Sequence, residues 1–217
     1  MNRIKFTRVL GHSATALFIG VVLTACGGSG GVAQTPGSAR FSSVADGCVR
    51  DNVTGLMWEV KTADSELRAW DQTYTNYDSP ASEQKLDSAT NVLSNPTQAE
   101  IDAPTNSVGF KDAVNATNLC GFSDWRLPTL EELQGIVKNG VASPGPAIDA
   151  TWFPNTKPLA FWTSSPLLSP PPEPPEPPEP PRIVYPYSAW GIFFGNGSVV
   201  SYYRSSSNHV RLVRTGQ

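Results

Sequence analysis

The chain has 217 residues, with 16 Lys and Arg against 19 Asp and Glu, which gives a formal net charge of −3. An acidic chain is a poor general binder of nucleic acid, so that class of partner is disfavoured. Only one histidine, His209, follows the amino-terminal segment described next, which excludes a metal site built from several histidines.

The amino-terminal segment is typical of a signal peptide. Three basic residues lie among the first eight, and an apolar run follows at positions 14–23. About ten apolar residues are too few to span a bilayer, but they fit a signal peptide at residues 1–25. The string Leu23-Thr24-Ala25-Cys26 resembles the lipobox of bacterial lipoproteins, which predicts diacylation of Cys26 and cleavage before it. The alternative is an ordinary secretory signal with a chance cysteine.

The residues from Cys26 onward predict a tether and then one anchored domain. Residues 26–43 are rich in Gly and Ser, a composition typical of flexible linkers. Residues 44–217 are enough for a single domain with a sizeable core. Several acyl chains on Cys26 would hold the protein stably in a lipid bilayer of the cell envelope. Gly27 after the cysteine indicates the outer membrane if the cell is Gram-negative.

Two cysteines are left for the domain, Cys48 and Cys120. In an oxidising compartment such a pair most simply forms one disulfide, which would close a loop of about seventy residues. A metal or redox pair is the alternative, although neither cysteine sits in a Cys-x-x-Cys motif and no histidine is near in the sequence.

The pattern of apolar and turn residues predicts an α+β domain. The segment between residues 62 and 106 is polar and predicts a long irregular loop with one short helix. Thr129 and Glu132 form a capping-box pattern at the start of an amphipathic helix. The other predicted elements are a strand at 56–60, a helix at 110–119, a strand at 161–165, a hairpin of 189–194 with 199–204, and a last strand at 209–214. Two main helices are thus followed by antiparallel strands.

A Pro-Pro-Glu repeat interrupts the domain at residues 166–181. Its period of three matches the three residues per turn of polyproline II, and proline disrupts both helices and inner strands. We expect an exposed, stiff insert. It serves either as a spacer in a tolerant loop or as a docking peptide for an aromatic groove.

Charge is unevenly distributed beyond the predicted cleavage site. Without the three bases of residues 1–25, 13 basic residues face 19 acidic residues. All 19 acidic residues precede Arg182, and four arginines lie from there to the end. This tail therefore carries +4, and the rest of the mature chain carries −10.

The best binding candidates lie on the predicted hairpin and the last strand. They are aromatic residues beside basic residues, a composition suited to sugars or anionic glycans: Tyr202, Tyr203, Arg204, His209 and Arg211. Strand alternation puts Tyr203 and Arg204 on opposite faces, so not all of the candidates can contribute. An ordinary solvated hairpin edge is the alternative.

Most other prominent side chains have structural explanations. Four tryptophans in strand-like contexts are expected to pack in the core: Trp58, Trp125, Trp162 and Trp190. Arg126 either binds a ligand carboxylate or sulfate, or satisfies loop carbonyls or a carboxylate such as Asp124.

Several strings occur in the order typical of one bacterial family. They are Asp51-Asn52-Val53-Thr54-Gly55-Leu56-Met57-Trp58, Gly121-Phe122-Ser123-Asp124-Trp125-Arg126-Leu127-Pro128-Thr129, Phe161-Trp162-Thr163-Ser164-Ser165-Pro166, Ala189-Trp190 and Val210-Arg211-Leu212-Val213-Arg214. Together they resemble the Lcl C-terminal domain family, named for a collagen-like bacterial adhesin, over nearly all of residues 46–214.

The resemblance implies a C-type-lectin-like fold, related to that of formylglycine-generating enzymes. In such a fold the first and last strands pair, and two helices flank a twisted antiparallel sheet with long loops. The named member is associated with adhesion and glycosaminoglycan binding. The Pro-Pro-Glu insert departs from the family pattern.

The sequence contains few of the residue patterns that are typical of catalytic sites. The chain has no Gly-x-Ser-x-Gly motif, and a formylglycine-generating oxidase would need reactive cysteines, whereas these two are expected to be bonded. Carboxylate pairs for glycoside hydrolysis stay open, because spacing in sequence says little about distance in space. We therefore expect no catalytic residue and no metal. Calcium is the one cofactor left open, with Asp124, Asp149 and Asp or Asn residues of 62–106 as oxygen ligands.

Three classes of function follow. The first is a membrane-anchored surface or periplasmic lipoprotein with a ligand-binding domain for glycans in adhesion, which the aromatic and arginine cluster favours. The second is an envelope lipoprotein that binds other proteins without catalysis, which a docking role of the insert would favour. The third is an enzyme of unrecognised type, which two close carboxylates in a deep pocket would favour.

The lipobox generates a direct prediction. We expect a Cys26→Ser variant to lose metabolic labelling by palmitate and to leave the membrane fraction, because the thiol is the acylation site. Labelling and membrane sedimentation that persist in this variant would contradict the assignment.

Overall fold

The computed structural model describes residues 39–141, 144–168 and 184–216. The predicted signal peptide, Cys26 and the tether up to residue 38 lie outside the described residues, as do positions 169–181 of the insert. Within the described ranges, no helix is long and apolar enough to cross a membrane.

Antiparallel sheets and short helices confirm the predicted α+β class. The helices of the described residues are α1 (Gln98–Ile101), α2 (Ser107–Ala116) and α3 (Leu130–Gly135), with a 3-10 turn at Leu119–Gly121. The strands are β1 (Phe41–Ala45), β2 (Cys48–Asp51), β3 (Leu56–Glu59), β4 (Lys85–Asp87), β5 (Val92–Ser94), β6 (Ala160–Leu168), β7 (Val184–Phe193), β8 (Ser198–Tyr203) and β9 (Val213–Thr215).

One sheet has the strand order β1-β2-β3-β9. The resemblance implied that the first and last strands pair, but the last strand, β9, pairs with the third strand, β3, where Trp58 lies opposite Val213. The first strand, β1, pairs with β2 at the edge of this sheet. The predicted last strand at 209–214 was too long. His209 instead exchanges backbone hydrogen bonds with β6, at Ala160 and Trp162 (3.0 and 2.8 Å), so the segment before β9 crosses from one sheet to the other.

A second sheet has the order β6-β7-β8 and contains the predicted hairpin. Gly197 takes a positive φ of 79° in the β7–β8 turn, a conformation that glycine adopts without strain. Strand β6 runs to Leu168, so the insert does not begin at Pro166 as predicted. The pairing register shifts on both sides of Pro166, and a residue without an N–H is tolerated at such an irregularity.

The helices follow their predicted signals, but both ends of α2 lie three residues before those of the helix predicted at 110–119. Thr129 and Glu132 form the predicted capping box of α3, and α1 is the predicted short helix of the 62–106 loop. Helix α2 begins at Ser107, three residues before the predicted start. Gly109 lies so close to the chain that an added Cβ would come 2.2 Å from the carbonyl oxygen of Ala103, so a glycine permits this early first turn.

The core confirms the structural role of three tryptophans. Trp58, Trp125 and Trp162 are fully buried, whereas Trp190 is only half-buried. Phe41 of β1 is buried too and meets the ring of Phe153 edge to face at 5.2 Å. Residues 41–43, which were predicted to belong to the tether, therefore belong to β1 of the packed domain.

The predicted disulfide is confirmed. Cys48 of β2 is bonded to Cys120 of the 3-10 turn, and the two Cα atoms are 6.5 Å apart. The bond joins the β1-β2-β3-β9 sheet to the 3-10 turn that follows α2, across 72 residues of sequence.

We expect replacement of both cysteines, Cys48→Ser with Cys120→Ser, to lower the free energy of unfolding. The loss should be about 2–4 kcal/mol, because the unfolded chain then regains the entropy of an open loop. Urea unfolding of the two proteins measures the difference. Peptide mapping without reductant should recover the linked pair from the natural chain, and free thiols at both positions would contradict the assignment.

Candidate ligand-binding site

The structure divides the five predicted binding residues into two groups. Tyr202 and Tyr203 are 38% and 49% exposed at the end of β8. Arg204, His209 and Arg211 are buried, with exposed fractions of 3%, 4% and 0%. The prediction that these three basic side chains face a ligand from the surface is therefore wrong, and their internal partners give the reason.

Arg211 is held inside the domain by main-chain and side-chain acceptors. Its Nη1 donates to the carbonyl oxygen of Glu59, and its Nη2 donates to Thr156 Oγ1 at 2.9 Å. The guanidinium also lies over the ring of Phe153, 5.0 Å from the centroid. Burial lowers the pKa of Arg211 to about 10, so the group is still charged at neutral pH.

Arg204 fixes a loop and does not reach outward. Its Nη1 donates to the carbonyl oxygen of Asn76 at 2.7 Å and to Asp78 Oδ2 at 2.9 Å. Burial lowers the pKa of Arg204, and the neighbouring Asp78 carboxylate opposes that shift.

Two further basic residues of the carboxy-terminal region, His209 and Arg214, also have partners inside the domain. The His209 ring packs against Phe161 at 5.1 Å between centroids, and its Nδ1 lies 2.9 Å from the carbonyl oxygen of Gln72. Arg214 forms a salt bridge with Asp124, 2.6 Å from Nε to Oδ1. The positive tail predicted from charge counts is therefore largely used within the fold.

The exposed tyrosines belong to a groove on the β6-β7-β8 sheet, which we call the tyrosine groove. Its cavity volume is about 470 Å³, and its walls are Leu167, Tyr185, Tyr187, Ser188, Ser201, Tyr202 and Tyr203. Ring centroids are 5.9 Å apart for Tyr185 and Tyr187, and 6.0 Å apart for Tyr187 and Tyr203. Such a chain of rings gives a continuous aromatic surface, and none of the described residues that line the groove is charged.

Sequence reasoning missed half of this aromatic surface. Tyr185 and Tyr187 lie in the part of β7 that precedes the predicted hairpin strand at 189–194, directly after the insert. Their alternate positions in the string Val184-Tyr185-Pro186-Tyr187 were the available signal, since such spacing places two rings on one side of a strand.

A second cavity, which we call the polar pocket, has a volume of about 400 Å³. It is lined by Asn76, Asp78, Ser107, Val108, Arg126, Leu127, Thr129 and Ser164, so two of the strings quoted above converge there. Arg126 makes a bidentate pair with Glu132, at 2.7 Å for each contact, and this pair holds the pKa of the Glu132 carboxyl below its usual range. Arg126 thus pairs with Glu132 and not with Asp124.

Buried hydrogen bonds connect the residues at the floor of the polar pocket. Ser107 Oγ donates to Asn76 Oδ1 at 2.7 Å, and Asn76 Nδ2 donates to the carbonyl oxygen of Thr163 at 3.2 Å. Asn76 and Ser107, the first residue of α2, were absent from the predicted binding site, because neither belongs to a string that sequence reasoning singled out.

The two named calcium candidates have other partners. Asp124 is paired with Arg214, and Asp149 Oδ1 accepts the backbone N–H of Thr151 at 3.0 Å. In the part of the chain that the structure describes, no three His, Cys, Asp or Glu side chains are grouped as a metal site.

The model of the Lcl C-terminal domain family matches residues 47–214. No curated protein and no solved structure is similar enough to the chain to count as a match.

The buried histidine predicts a pH dependence of stability. Burial lowers the pKa of His209 below its usual value of 6.5, and the hydrogen bond to Gln72 only partly opposes this. Between the folded pKa and about 6.5 the unfolded chain binds more protons, so stability falls as the pH drops through that range. Urea unfolding at about pH 7.5 and 5.5 should show this loss. It should be smaller in His209→Asn, whose amide does not titrate, and equal losses would contradict the assignment.

Proposed function

The chain belongs to the Lcl C-terminal domain family, and we propose that it is a lipid-anchored, non-catalytic binding module of the cell envelope. In this proposal the tyrosine groove binds neutral saccharides. The observation that carries the proposal is a groove with four tyrosines and no charge among its described lining residues. The rings of Tyr185, Tyr187 and Tyr203 form a row along it, and Tyr202 completes the lining.

The chemistry of the groove fits a sugar ring. A saccharide has apolar C–H faces that pack on aromatic rings, and hydroxyl groups that exchange hydrogen bonds with hydroxyl-bearing side chains. The groove offers both kinds of contact, because Ser188 and Ser201 lie among its tyrosines. Tyrosine supplies large contact areas at a low cost in side-chain entropy, which suits recognition of a small polar ligand.

The burial of the basic residues changes the preferred ligand from an anionic to a neutral glycan. A sulfated or carboxylated glycan would need exposed guanidinium or ammonium groups. Arg204, the arginine adjacent to the groove in sequence, is buried and engaged by Asp78. An anionic ligand would therefore lose its hydration without gaining a counter-charge from the described residues that line the groove.

The tyrosine groove supports a binding function better than the polar pocket supports a catalytic one. In the polar pocket Arg126 is paired with Glu132, and Asp78 is paired with Arg204. Groups already neutralised in this way are poorly placed to act as acid, base or nucleophile without breaking their pairs.

The location and the finer fold are parts of the same proposal. Anchoring rests on the lipobox at Cys26 and on the Gly- and Ser-rich residues that precede β1. A C-type-lectin-like arrangement is supported by the pairing of β3 with the last strand, β9, and by the long segment between β3 and α1, which contains only the short hairpin β4–β5.

Saccharide binding by the full chain in detergent tests the proposal, first on a glycan array and then by titration of the strongest neutral ligand. We expect Tyr187→Ala and Tyr203→Ala each to weaken binding about tenfold, the loss of roughly one aromatic contact. Tyr203→Phe keeps the ring and should retain most of the affinity. Raised salt should change the affinity little, because no charge pair forms.

Val53→Ala is the matched control for surface exposure. Val53 is 76% exposed on the β2–β3 turn and does not line the groove, so its truncation should leave binding unchanged. Binding that is unaffected by the tyrosine substitutions, or that is selective for sulfated glycans and abolished by salt, would overturn the proposal.

A further inference from the structure

Strand β8 is an edge of its sheet. It pairs with β7 on one side, and in the described residues no strand pairs with its other side. Its sequence, Ser198-Val199-Val200-Ser201-Tyr202-Tyr203, contains neither charge nor proline. Monomeric proteins usually protect such an edge with lysine, proline or a bulge, because unpaired backbone groups on a regular apolar strand invite a partner strand.

The hydrogen-bond register identifies the backbone groups that face outward. The N–H of Arg204 donates to the carbonyl oxygen of Tyr187, in the same register as the β7–β8 pairs. Antiparallel strands bond through alternate residues, so Ser198, Val200 and Tyr202 also direct their N–H and C=O groups toward β7. The three remaining residues, Val199, Ser201 and Tyr203, direct theirs to the open side.

The outward-facing residues of one β8 can pair with the same residues of a second β8. If a second β8 lies antiparallel with Ser201 opposite Ser201, then Val199 of each copy lies opposite Tyr203 of the other. Each opposed pair of this kind exchanges up to two backbone hydrogen bonds, about six in total. The carbonyl oxygen of Tyr203 already accepts the N–H of Ser206 at 2.8 Å, and about four of the six bonds do not involve that oxygen. Aromatic residues opposite β-branched residues are favourable cross-strand pairs, and no like charges meet.

We propose that β8 is a dimerisation edge and that its occupant is β8 of a second copy of this chain. The pairing is two-fold symmetric about Ser201, so it closes on itself as a dimer and does not continue into a fibre. It joins two three-stranded sheets into one of six strands. The tyrosine grooves of both copies, which include Ser201 and Tyr203, then meet at the two-fold axis.

Oxidative cross-linking of single-cysteine substitutions tests both the partner and the register. In the proposed dimer the two Ser201 Cα atoms are about 5.5 Å apart, within the range for a disulfide. Ser198 is the matched control, since it is an exposed serine of the same strand. Its two copies would be about 20 Å apart, six residues out of register.

We expect the full chain with Ser201→Cys, oxidised by copper phenanthroline, to yield at least fivefold more reducible dimer than Ser198→Cys. The unsubstituted chain gives the background from the natural cysteines. Equal dimer yields from the two variants, or no dimer above background, would overturn the proposal. So would a Ser201→Cys thiol that neither cross-links nor reacts with maleimide, which would mean that another part of the same chain covers the edge.

A second measurement does not depend on disulfide geometry. Ser201→Lys places two ammonium groups opposite each other, so the dimer dissociation constant from sedimentation equilibrium should rise at least tenfold. Ser198→Lys adds the same charge outside the register and should leave that constant near the natural value. A natural chain that stays monomeric at high concentration, or equal effects of both lysines, would contradict the pairing. No arm of this test uses a saccharide, so its outcome is independent of the proposed function.

Discussion

The buried carboxylate of Glu59 is the interaction on which the rest of the domain depends. Its Oε2 accepts the backbone N–H of Leu212 at 2.9 Å, and its Oε1 lies 2.9 Å from the ammonium group of Lys61. Its own carbonyl oxygen accepts Arg211. All three charged groups are buried, and burial lowers the pKa of Lys61 even though Glu59 opposes that shift. An unpaired charge at this depth costs several kcal/mol, so the carboxy-terminal segment must stay against β3.

This constraint also sets where the candidate site lies. The segment held by Glu59 continues back to His209, whose backbone bonds to Ala160 and Trp162 of β6. Residues 209–213 therefore join the sheet that contains β3 to the sheet that carries the tyrosine groove. The basic side chains of this region are buried and bind groups inside the domain. The described lining of the tyrosine groove therefore carries no charge.

Patterns of neighbouring residues predicted the local structure. The remaining structure depends on contacts between residues that are far apart in the sequence. The capping box of Thr129 and the β7–β8 turn depend on residues a few positions apart, so the sequence was sufficient for them. The partner of Arg214 is Asp124, 90 residues away, and no charge count identifies such a pair. For this reason the basic tail was misread as an exposed surface. Two exposed tyrosines of the site were predicted, whereas Tyr185 and Tyr187 depend on a strand longer than its apolar pattern indicated.

The uncharged character of β8 connects its two proposed roles. Without charges, a ligand in the tyrosine groove gains only ring contacts and neutral hydrogen bonds, each worth about 1 kcal/mol. Affinity for a single sugar is then modest, and useful attachment requires more than one contact at a time. Pairing through β8 would place two grooves side by side, and two linked sites can exceed the affinity of either by roughly 10²–10⁴. A charge on β8 would weaken both the pairing of two β8 edges and the binding of a neutral saccharide in the groove. The absence of charge on β8 therefore favours both proposed roles.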